Sequence, residues 1–317
     1  MNTQERVNAY QKISQAILAN VNKVIVGKER VIQRLLIALL SGGHVLIEDV
    51  PGIGKTTMVH ALARALQLDF HRIQFTPDLM PSDVTGFNLY NPKDGEFVFQ
   101  EGAVMTQILL ADEINRSSPR TQSALLEAMQ EGQVTVDNTT YPLPTPFMVL
   151  ATQNPIEHVG TYPLPEAQLD RFMMRISLGY PSIEEEMDIV SLNSDQLLRE
   201  EVQAAASVEE LMWMREQAQS VLISDEVKRY IVDLCRATRE HPLIDLGASP
   251  RAAQMLLSAC RSLALMNGRD YVIPDDVQEL IGDVLAHRLI LKPSTRGKGM
   301  RSDDLLQEIL KNTAVPR

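Results

Sequence analysis

The sequence is poor in cysteine and has no long uninterrupted apolar run. Its two cysteines, Cys235 and Cys260, are too few for a disulfide framework in a chain of 317 residues, so we expect buried, reduced thiols. The longest apolar candidate, VIQRLLIALL, is broken by Gln33 and Arg34 and is too short to span a bilayer. The opening MNTQERVNAYQK lacks the apolar segment of a signal peptide. We therefore expect a cytoplasmic protein without a membrane span.

The sequence also lacks a basic excess and the spacing of a metal-ligand motif. Its formal net charge of -11 disfavours binding to nucleic acid, which needs a basic surface. The six histidines show no H-E-x-x-H or comparable spacing, which argues against a structural transition-metal site. With 44% hydrophobic and 22% charged residues, the composition is that of a globular chain with about two domains.

Short apolar runs alternate with helical segments in the first part of the chain. The runs lie at 44–48, 70–75, 106–111, 147–152 and 173–178. This alternation predicts an α/β fold with a mostly parallel five-stranded sheet and helices on both faces. Two other segments, GFNLYNPKDGEFVF and QVTVDNTTYPL, alternate around turn residues and predict inserted β-hairpins, for which surface decoration is the simpler interpretation. After Pro181 the pattern is helical throughout, which predicts a core domain at 1–181 and an all-helical domain at 182–317.

The segment LIEDVPGIGKTTMVHAL (46–62) has the pattern of a phosphate-binding loop between a strand and a helix. Glycines permit close approach of the backbone to a phosphate, and the helix N-terminus favours an anion. The strict pattern G-x-x-x-x-G-K-[ST] requires a glycine where this chain has Asp49. The candidate nucleotide-binding residues are Pro51, Gly52, Ile53, Gly54, Lys55, Thr56 and Thr57. Lys55 would contact the β- and γ-phosphates and Thr56 would bind Mg²⁺.

Two later strands also end in polar residues. QILLADEIN (107–115) ends in Asp112, a candidate Mg²⁺ ligand, and Glu113, which would polarise an attacking water. The alternative is two solvated acids after a buried strand, an interpretation that the lysine loop earlier in the chain disfavours. FMVLATQNP (147–155) ends at Asn154, which would position that water or contact the γ-phosphate.

Together these motifs resemble the AAA+ ATPases, and in particular their MoxR family. The resemblance covers essentially the whole chain. It is carried by EDVPGIGKT, QFTPDLMPSDVTG, GEFVFQEGAV, ADEINRSSPRTQSALLEAMQEGQVTVD, ATQNP and YPLPEAQLDRF. Asp at the position of the missing glycine is a usual feature of this family. The resemblance implies an AAA+ core and a C-terminal helical lid, and it matches the hairpins to the helix-2 insert and the pre-sensor-1 insert.

The resemblance also implies roles for individual residues. Asn154 matches sensor 1, Arg171 matches the arginine finger, and Arg251 matches sensor 2 on the lid. The segment near the adenine would consist of Ile25, Val26 and Gly27. Arg116 is a further candidate at the subunit junction. From the residues alone, Arg171 and Arg251 are equally well explained as surface arginines.

The sequence thus predicts an ATPase that uses ATP and Mg²⁺. By resemblance it would form a homo-oligomeric ring of six subunits and remodel or mature client proteins, with a von Willebrand factor A-type protein as a further partner. Two alternatives remain: the ATPase subunit of a magnesium-chelatase-like complex, and a nucleotide-binding switch without hydrolysis. The absence of an N-K-x-D tetrapeptide argues against a guanine-specific switch.

Overall fold

The computed structural model describes residues 2–50, 52–154, 160–191, 201–296 and 299–316. The strands, in chain order, are β1 (Val45–Glu48), β2 (Phe70–Gln74), β3 (Gly86–Asn91), β4 (Glu96–Glu101), β5 (Ile108–Asp112), β6 (Gln133–Val136), β7 (Thr139–Pro142), β8 (Met148–Gln153), β9 (Met174–Ile176), β10 (Ile244–Leu246) and β11 (Ile290–Leu291). The helices are α1 (Thr3–Val21), α2 (Glu29–Leu40), α3 (Lys55–Ala65), α4 (Pro81–Thr85), α5 (Pro119–Glu131), α6 (Glu166–Leu169), α7 (Ile183–Ser191), α8 (Val208–Gln219), α9 (Asp225–Glu240), α10 (Pro250–Met266), α11 (Pro274–Leu285), α12 (Pro293–Arg296) and α13 (Ser302–Asn312).

A parallel sheet of five strands, in the order β2-β5-β8-β1-β9, forms the centre of the molecule. Strands β1, β5 and β8 are buried along nearly their whole length, as expected when helices cover both faces of a parallel sheet. All five strands coincide with the apolar runs of the sequence, so the predicted α/β fold is confirmed. Because the strands are parallel, their carboxyl ends share one edge of the sheet, the carboxyl edge, and their amino ends share the opposite amino edge.

Helix α5 begins and ends where its sequence signals predict. The Ser118 Oγ accepts a hydrogen bond from the Thr121 backbone N–H at 3.3 Å and so caps the first turn. Pro119 occupies the first helical position, where its missing N–H costs nothing. Gly132 follows the last turn in the left-handed conformation with φ 62°, which a glycine adopts without strain. Local signals were therefore sufficient to fix the bounds of this helix.

Two antiparallel hairpins, β3–β4 and β6–β7, interrupt the alternation of strands and helices, as predicted. They contact each other. The Asn88 amide donates to the Asp137 carboxylate at 2.7 Å, and the Phe99 ring stacks on Tyr141 with the ring centroids 3.9 Å apart. The hairpins therefore form one joined unit on the core.

The C-terminal part of the chain consists mainly of helices α7 to α13, with a small antiparallel pair β10–β11. One apolar cluster runs from the N-terminal helices into this part and includes Tyr10, Leu36 and Leu263. The Tyr10 and Trp213 rings lie 6.5 Å apart. The N-terminal helix α1 thus packs against the helical part, and the boundary between residues 181 and 182 stays a prediction.

The two cysteines lie in this helical part and do not pair. Cys235 and Cys260 are both buried, as predicted. Desolvation raises the pKa of the Cys235 thiol to about 11 and raises that of Cys260 as well, so both thiols stay protonated at neutral pH. Among the described residues, no helix is both long and apolar enough to cross a bilayer.

Candidate nucleotide-binding site

The loop between β1 and α3 depends on two glycines with left-handed backbone angles. Gly52 has φ 86° and Gly54, the residue before the first turn of α3, has φ 83°. A Cβ on either would meet no other atom within 4 Å, so the backbone angle, and not lack of space, requires glycine here. Residues at the N-terminus of α3 line a cavity, where helix amides can bind an anion. Pro51, predicted as part of this loop, lies outside the described residues.

Asp49, which replaces the first glycine of the strict pattern, points away from the phosphate loop. Its carboxylate accepts hydrogen bonds from the Ser177 hydroxyl at 2.7 Å and from the backbone N–H groups of Leu178 and Gly179 at 2.5 and 3.2 Å. The side chain is buried. Asp49 therefore ties the start of the loop to the segment that follows β9.

We predict that Asp49→Gly, which restores the strict loop pattern, destabilises the protein. It removes the acceptor for two backbone N–H groups and should lower the free energy of unfolding by roughly 1.5–3 kcal/mol, the range for hydrogen bonds to a charged group. Urea unfolding measures this loss. Asp49→Asn, which keeps one acceptor oxygen, is the matched control and should lose less. A glycine variant as stable as the wild type would contradict the structural role of Asp49.

The predicted acidic pair follows β5 at the carboxyl edge. The Asp112 carboxylate accepts from the Thr152 hydroxyl through Oδ1 at 2.6 Å and from the Arg72 guanidinium through Oδ2 at 2.6 Å. The Glu113 Oε2 accepts from the Gln74 amide and from the Arg116 guanidinium, both at 2.8 Å. Both carboxylates are therefore held in place by neighbouring donors.

Thr152, on β8, fixes the turn that carries the acidic pair. Its hydroxyl donates to Asp112 and accepts from the Glu113 backbone N–H at 2.8 Å. Glu113 itself has φ 54°, a left-handed conformation that is strained for a residue with a side chain and that often occurs at functional sites. Sequence reasoning missed Thr152, although its place two residues before Asn154 at the end of a neighbouring strand was a usable signal.

A cavity of about 350 Å³ at the carboxyl edge brings most of the predicted site residues together. Three strands, the loop before α3 and the first turn of α3 contribute to it. It is lined by Gly52, Gly54, Lys55, Thr56, Thr57, Arg72, Gln74, Asp112, Glu113, Thr152 and Asn154. Arg72 and Gln74 on β2 were not predicted. Gln74 lies directly opposite Asp112 in the β2–β5 register, so only the pairing of these strands reveals it.

The donors around this cavity suit a nucleotide and a magnesium ion. Lys55 extends along its loop, where Nζ donates to the backbone oxygens of Asp49 and Val50 at 3.1 and 3.3 Å. A lysine and free helix amides are suited to phosphate oxygens. The Asp112 carboxylate and the Thr56 hydroxyl supply the oxygen ligands that Mg²⁺ prefers. The residues present therefore fit both groups.

The residues predicted near the adenine are not among those that line this cavity. Ile25, Val26 and Gly27 precede α2, and a Cβ on Gly27 would lie 1.7 Å from the Glu185 carboxylate of α7. Ile53 is also absent from the lining. A larger cavity of about 950 Å³ lies between β9, α2 and the C-terminal helices, and its lining shares Asp49 and Val50 with the start of the phosphate loop. The role of Ile25, Val26 and Gly27 near the adenine stays a prediction, and so does the role of Ile53 in the phosphate-binding loop.

Arg171 and Arg251 lie at the amino edge, opposite the phosphate loop. The Met173 backbone N–H donates to the His44 carbonyl just before β1, and Asp170 accepts a hydrogen bond from Ser249 at 3.2 Å. These contacts bring the segment before β9 next to the start of α10. Within the described part of the chain, neither the Arg171 nor the Arg251 guanidinium has a hydrogen-bond or ion-pair partner.

The surroundings of His44 confirm where Arg251 lies. Burial is the main reason why the pKa of His44 falls to about 4, and the nearby charge of Arg251 lowers it further. The neutral ring accepts a hydrogen bond from the Val149 backbone N–H and donates to the Met129 carbonyl at 3.0 Å. Since strand residues advance about 3.3 Å each, the length of β1 separates this group from the phosphate loop of the same chain.

Comparison with known proteins places both parts of the chain in one family. Residues 44–174 match the model described as "ATPase family associated with various cellular activities (AAA)", and residues 236–309 match the AAA lid domain. The chain is 49% identical to uncharacterized protein YeaC of Bacillus subtilis, over 97% of this chain and 98% of that protein. It is 44% identical to Chaperone MoxR1 of Mycobacterium tuberculosis, over 94% of this chain and 81% of that protein. The crystal structure of a candidate ATPase from Cytophaga hutchinsonii superposes with a TM-score of 0.92 at 43% identity, over 99% of this chain and 98% of that one.

Proposed function

The chain belongs to the MoxR family of AAA+ ATPases, and from this premise we propose that it hydrolyses ATP with Mg²⁺ in an oligomeric ring to remodel partner proteins. The observation that carries the proposal is the convergence of the lysine loop, the acidic pair and Asn154 on one cavity. This set contains a phosphate binder, candidate metal ligands and a carboxylate that can take a proton. A nucleotide hydrolase requires these three kinds of group.

The phosphate loop would bind and orient the substrate. Lys55 would leave its own loop carbonyls for the β- and γ-phosphate oxygens, and the first amides of α3 would donate to the same groups. Bound Mg²⁺, held by Thr56 and Asp112, would neutralise negative charge on the phosphates. Asn154, buried at the end of β8, would donate its amide to the γ-phosphate or to the attacking water.

Glu113 would act as the base that takes a proton from the attacking water. Its carboxylate lies at the carboxyl edge beside Asp112, and donors from Gln74 and Arg116 hold it. The hydrolysis transfers the γ-phosphoryl group to water and releases ADP and phosphate. A nucleotide switch without hydrolysis would have no use for a carboxylate in this position, so the intact acidic pair favours an enzyme.

The two arginines at the amino edge would complete the site of a neighbouring subunit. They are separated from the phosphate loop of their own chain by the sheet, and no described residue binds their guanidinium groups. An arginine aimed at a γ-phosphate from a neighbour stabilises charge in the transition state. We therefore propose a ring in which Arg171, joined by Arg251, contacts the ATP of the next subunit, with six subunits by analogy with the family.

The output of the cycle would be mechanical work on other proteins. One relative is named a chaperone, which supports client remodelling as the role of this chain. The joined hairpins β3–β4 and β6–β7 contact α4 and α5. Because α5 follows the acidic pair along the chain, the hairpins would move when the nucleotide state changes. By family resemblance, a von Willebrand factor A-type protein would be a further partner.

The loop assignment is tested with Lys55→Ala. We predict that affinity for Mg·ATP falls roughly 10- to 150-fold, because the substitution removes a charged donor to the phosphates, an interaction of about 1.5–3 kcal/mol. Isothermal titration calorimetry measures the affinity.

The matched control is Lys228→Ala, which removes an exposed lysine that pairs with Asp225 on α9. It should bind Mg·ATP as the wild type does. Unchanged affinity in Lys55→Ala, with thermal unfolding showing a folded protein, would show that this loop is not the phosphate site.

A further inference from the structure

A continuous chain of polar side chains joins the two carboxylates of the site through β2. One nitrogen of Arg72, Nη2, donates both to the Asp112 Oδ2 at 2.6 Å and to the Gln74 Oε1 at 3.1 Å. The Gln74 amide nitrogen then donates to Glu113 at 2.8 Å, and Arg116 donates to the same oxygen. Arg72 thus contacts the candidate metal ligand and the residue that holds the candidate base.

The geometry of the sheet places Arg72 at this position. Residues 72 and 74 are two apart on β2, so their side chains share one face. Gln74 lies opposite Asp112 in the β2–β5 register, and Arg72 lies opposite Leu110, which makes Arg72 the diagonal neighbour of Asp112. A long side chain reaches across this diagonal. The contact therefore follows from strand pairing and not from a loop conformation.

The Arg72 guanidinium and a divalent cation would both be attracted to the Asp112 carboxylate. Thr152 already uses Oδ1 of Asp112, and Arg72 uses Oδ2. A second positive charge at Oδ2 would repel the guanidinium. The Arg72 side chain can move away, because it is 46% exposed and lies on β2, an edge strand of the sheet. The Asp112 side chain is only 15% exposed and stays in place.

We propose that Arg72 is a positioning residue that competes with the divalent cation for Asp112 and orients Gln74 toward Glu113. The proposal rests on the proposed function, because it takes Asp112 as the metal ligand. While Arg72 holds Asp112, it also donates to Gln74 Oε1. This contact turns the Gln74 amide nitrogen toward Glu113, where it donates a hydrogen bond to the carboxylate of the candidate base. When the cation displaces Arg72, Gln74 loses this restraint, while Arg116 still donates to Glu113. Arg72 thus links metal binding to the orientation of Gln74.

The central variant is Arg72→Met, which keeps the length of the side chain and removes its charge and donors. We expect it to bind Mn²⁺, in the presence of ADP, about two- to fivefold more tightly than the wild type, the factor given by loss of a partly exposed ion pair. Electron paramagnetic resonance of free Mn²⁺ measures this affinity without turnover. The Mg²⁺ concentration for half-maximal ATPase activity should fall by the same factor.

Two variants separate this role from a general change in the protein. Arg72→Lys keeps a cation beside Asp112 and should restore the metal affinity of the wild type. Arg229→Met removes an exposed arginine that pairs with Asp233 on α9, and it should leave metal affinity unchanged. In an Asp112→Asn background, Arg72→Met should have no further effect on Mn²⁺ binding, since the group for which the two cations compete is gone.

The inference and the proposed function fail in different ways. If the wild type binds Mn²⁺ and hydrolyses ATP but Arg72→Met has unchanged Mn²⁺ affinity, Arg72 does not compete for Asp112 and the inference is wrong. Weaker Mn²⁺ binding in Arg72→Met would overturn it as well, because Arg72 would then assist the metal. If the wild type binds no Mn²⁺ with ADP and shows no ATPase activity, the proposed function fails and the inference fails with it.

Discussion

Arg171→Ala should bind Mg·ATP with nearly the affinity of the wild type and hydrolyse it roughly 10³- to 10⁵-fold more slowly, the range for removal of an arginine finger. The position of Arg171 in the fold explains this expectation. Arg171 lies at the amino edge of the sheet, next to Asp170 and the start of α10, and the phosphate loop of the same chain is at the carboxyl edge. Arg171 cannot reach the ATP bound by its own chain. Removing its side chain should therefore slow turnover in the neighbouring subunit and leave ATP binding in the mutated subunit intact.

The measurement pairs calorimetric affinity for Mg·ATP with steady-state phosphate release at a fixed protein concentration. Arg236→Ala is the matched control, since Arg236 is an exposed arginine that pairs with Glu240 on α9. It should leave both quantities unchanged. If Arg171→Ala hydrolysed ATP like the wild type, Arg171 would be a surface arginine without a catalytic role.

Glu113→Gln should keep ATP binding and lower turnover by roughly 10²- to 10⁴-fold, the usual effect of removing a general base. Glutamine has the same shape, and its amide oxygen still accepts a hydrogen bond from Arg116 or Gln74, so the turn after β5 should persist. What it loses is the basic oxygen that takes a proton from water. Single-turnover phosphate release measures the chemical step separately from product release.

A glutamate on α5 provides the control for this experiment. Glu127 is exposed and lies outside the cavity lining, so Glu127→Gln changes the net charge equally and should leave turnover unchanged. Turnover near that of the wild type in Glu113→Gln would remove Glu113 from the mechanism. If the wild type itself bound ATP tightly and released no phosphate, the chain would be a nucleotide switch.

The parts of the site that the sequence predicted are those that depend on contiguous residues. The lysine loop, the Asp112–Glu113 pair and Asn154 each follow an apolar run, and the carboxyl ends of parallel strands necessarily meet at one edge. The fold class was therefore sufficient to predict that these residues converge on one cavity. The same reasoning predicted α5, whose cap, proline and terminal glycine are local signals.

The residues that the sequence did not reveal depend on contacts between separate segments. Arg72 and Gln74 reach the acidic pair only because β2 pairs with β5 in one register, and a shift by one residue would turn both side chains to the other face. Thr152 reaches Asp112 across the β5–β8 pair. The position of Arg251 depends on how α10 packs against the segment before β9, which no local pattern specifies.

Asp49 departs from the strict phosphate-loop pattern, and its hydrogen bonds in the structure explain why. In the sequence it placed a carboxylate beside a predicted anion site. In the fold the carboxylate turns toward Ser177, Leu178 and Gly179 and satisfies three donors there. The loop keeps its glycines at positions 52 and 54, where the left-handed angles need them. The first position of the strict pattern is free to serve stability because the predicted phosphate contacts involve later residues.

The central claim, that each site is completed by an arginine from the next subunit, is tested most directly by mixing two inactive variants. Arg171→Ala retains an intact phosphate loop, and Lys55→Ala retains an intact Arg171. In a mixed ring, a Lys55→Ala subunit can supply its Arg171 to the ATP held by an Arg171→Ala neighbour. The account predicts that an equal mixture hydrolyses ATP well above the mean of the two separate variants. Activity equal to that mean, under conditions where fluorescence transfer shows that subunits exchange, would contradict it.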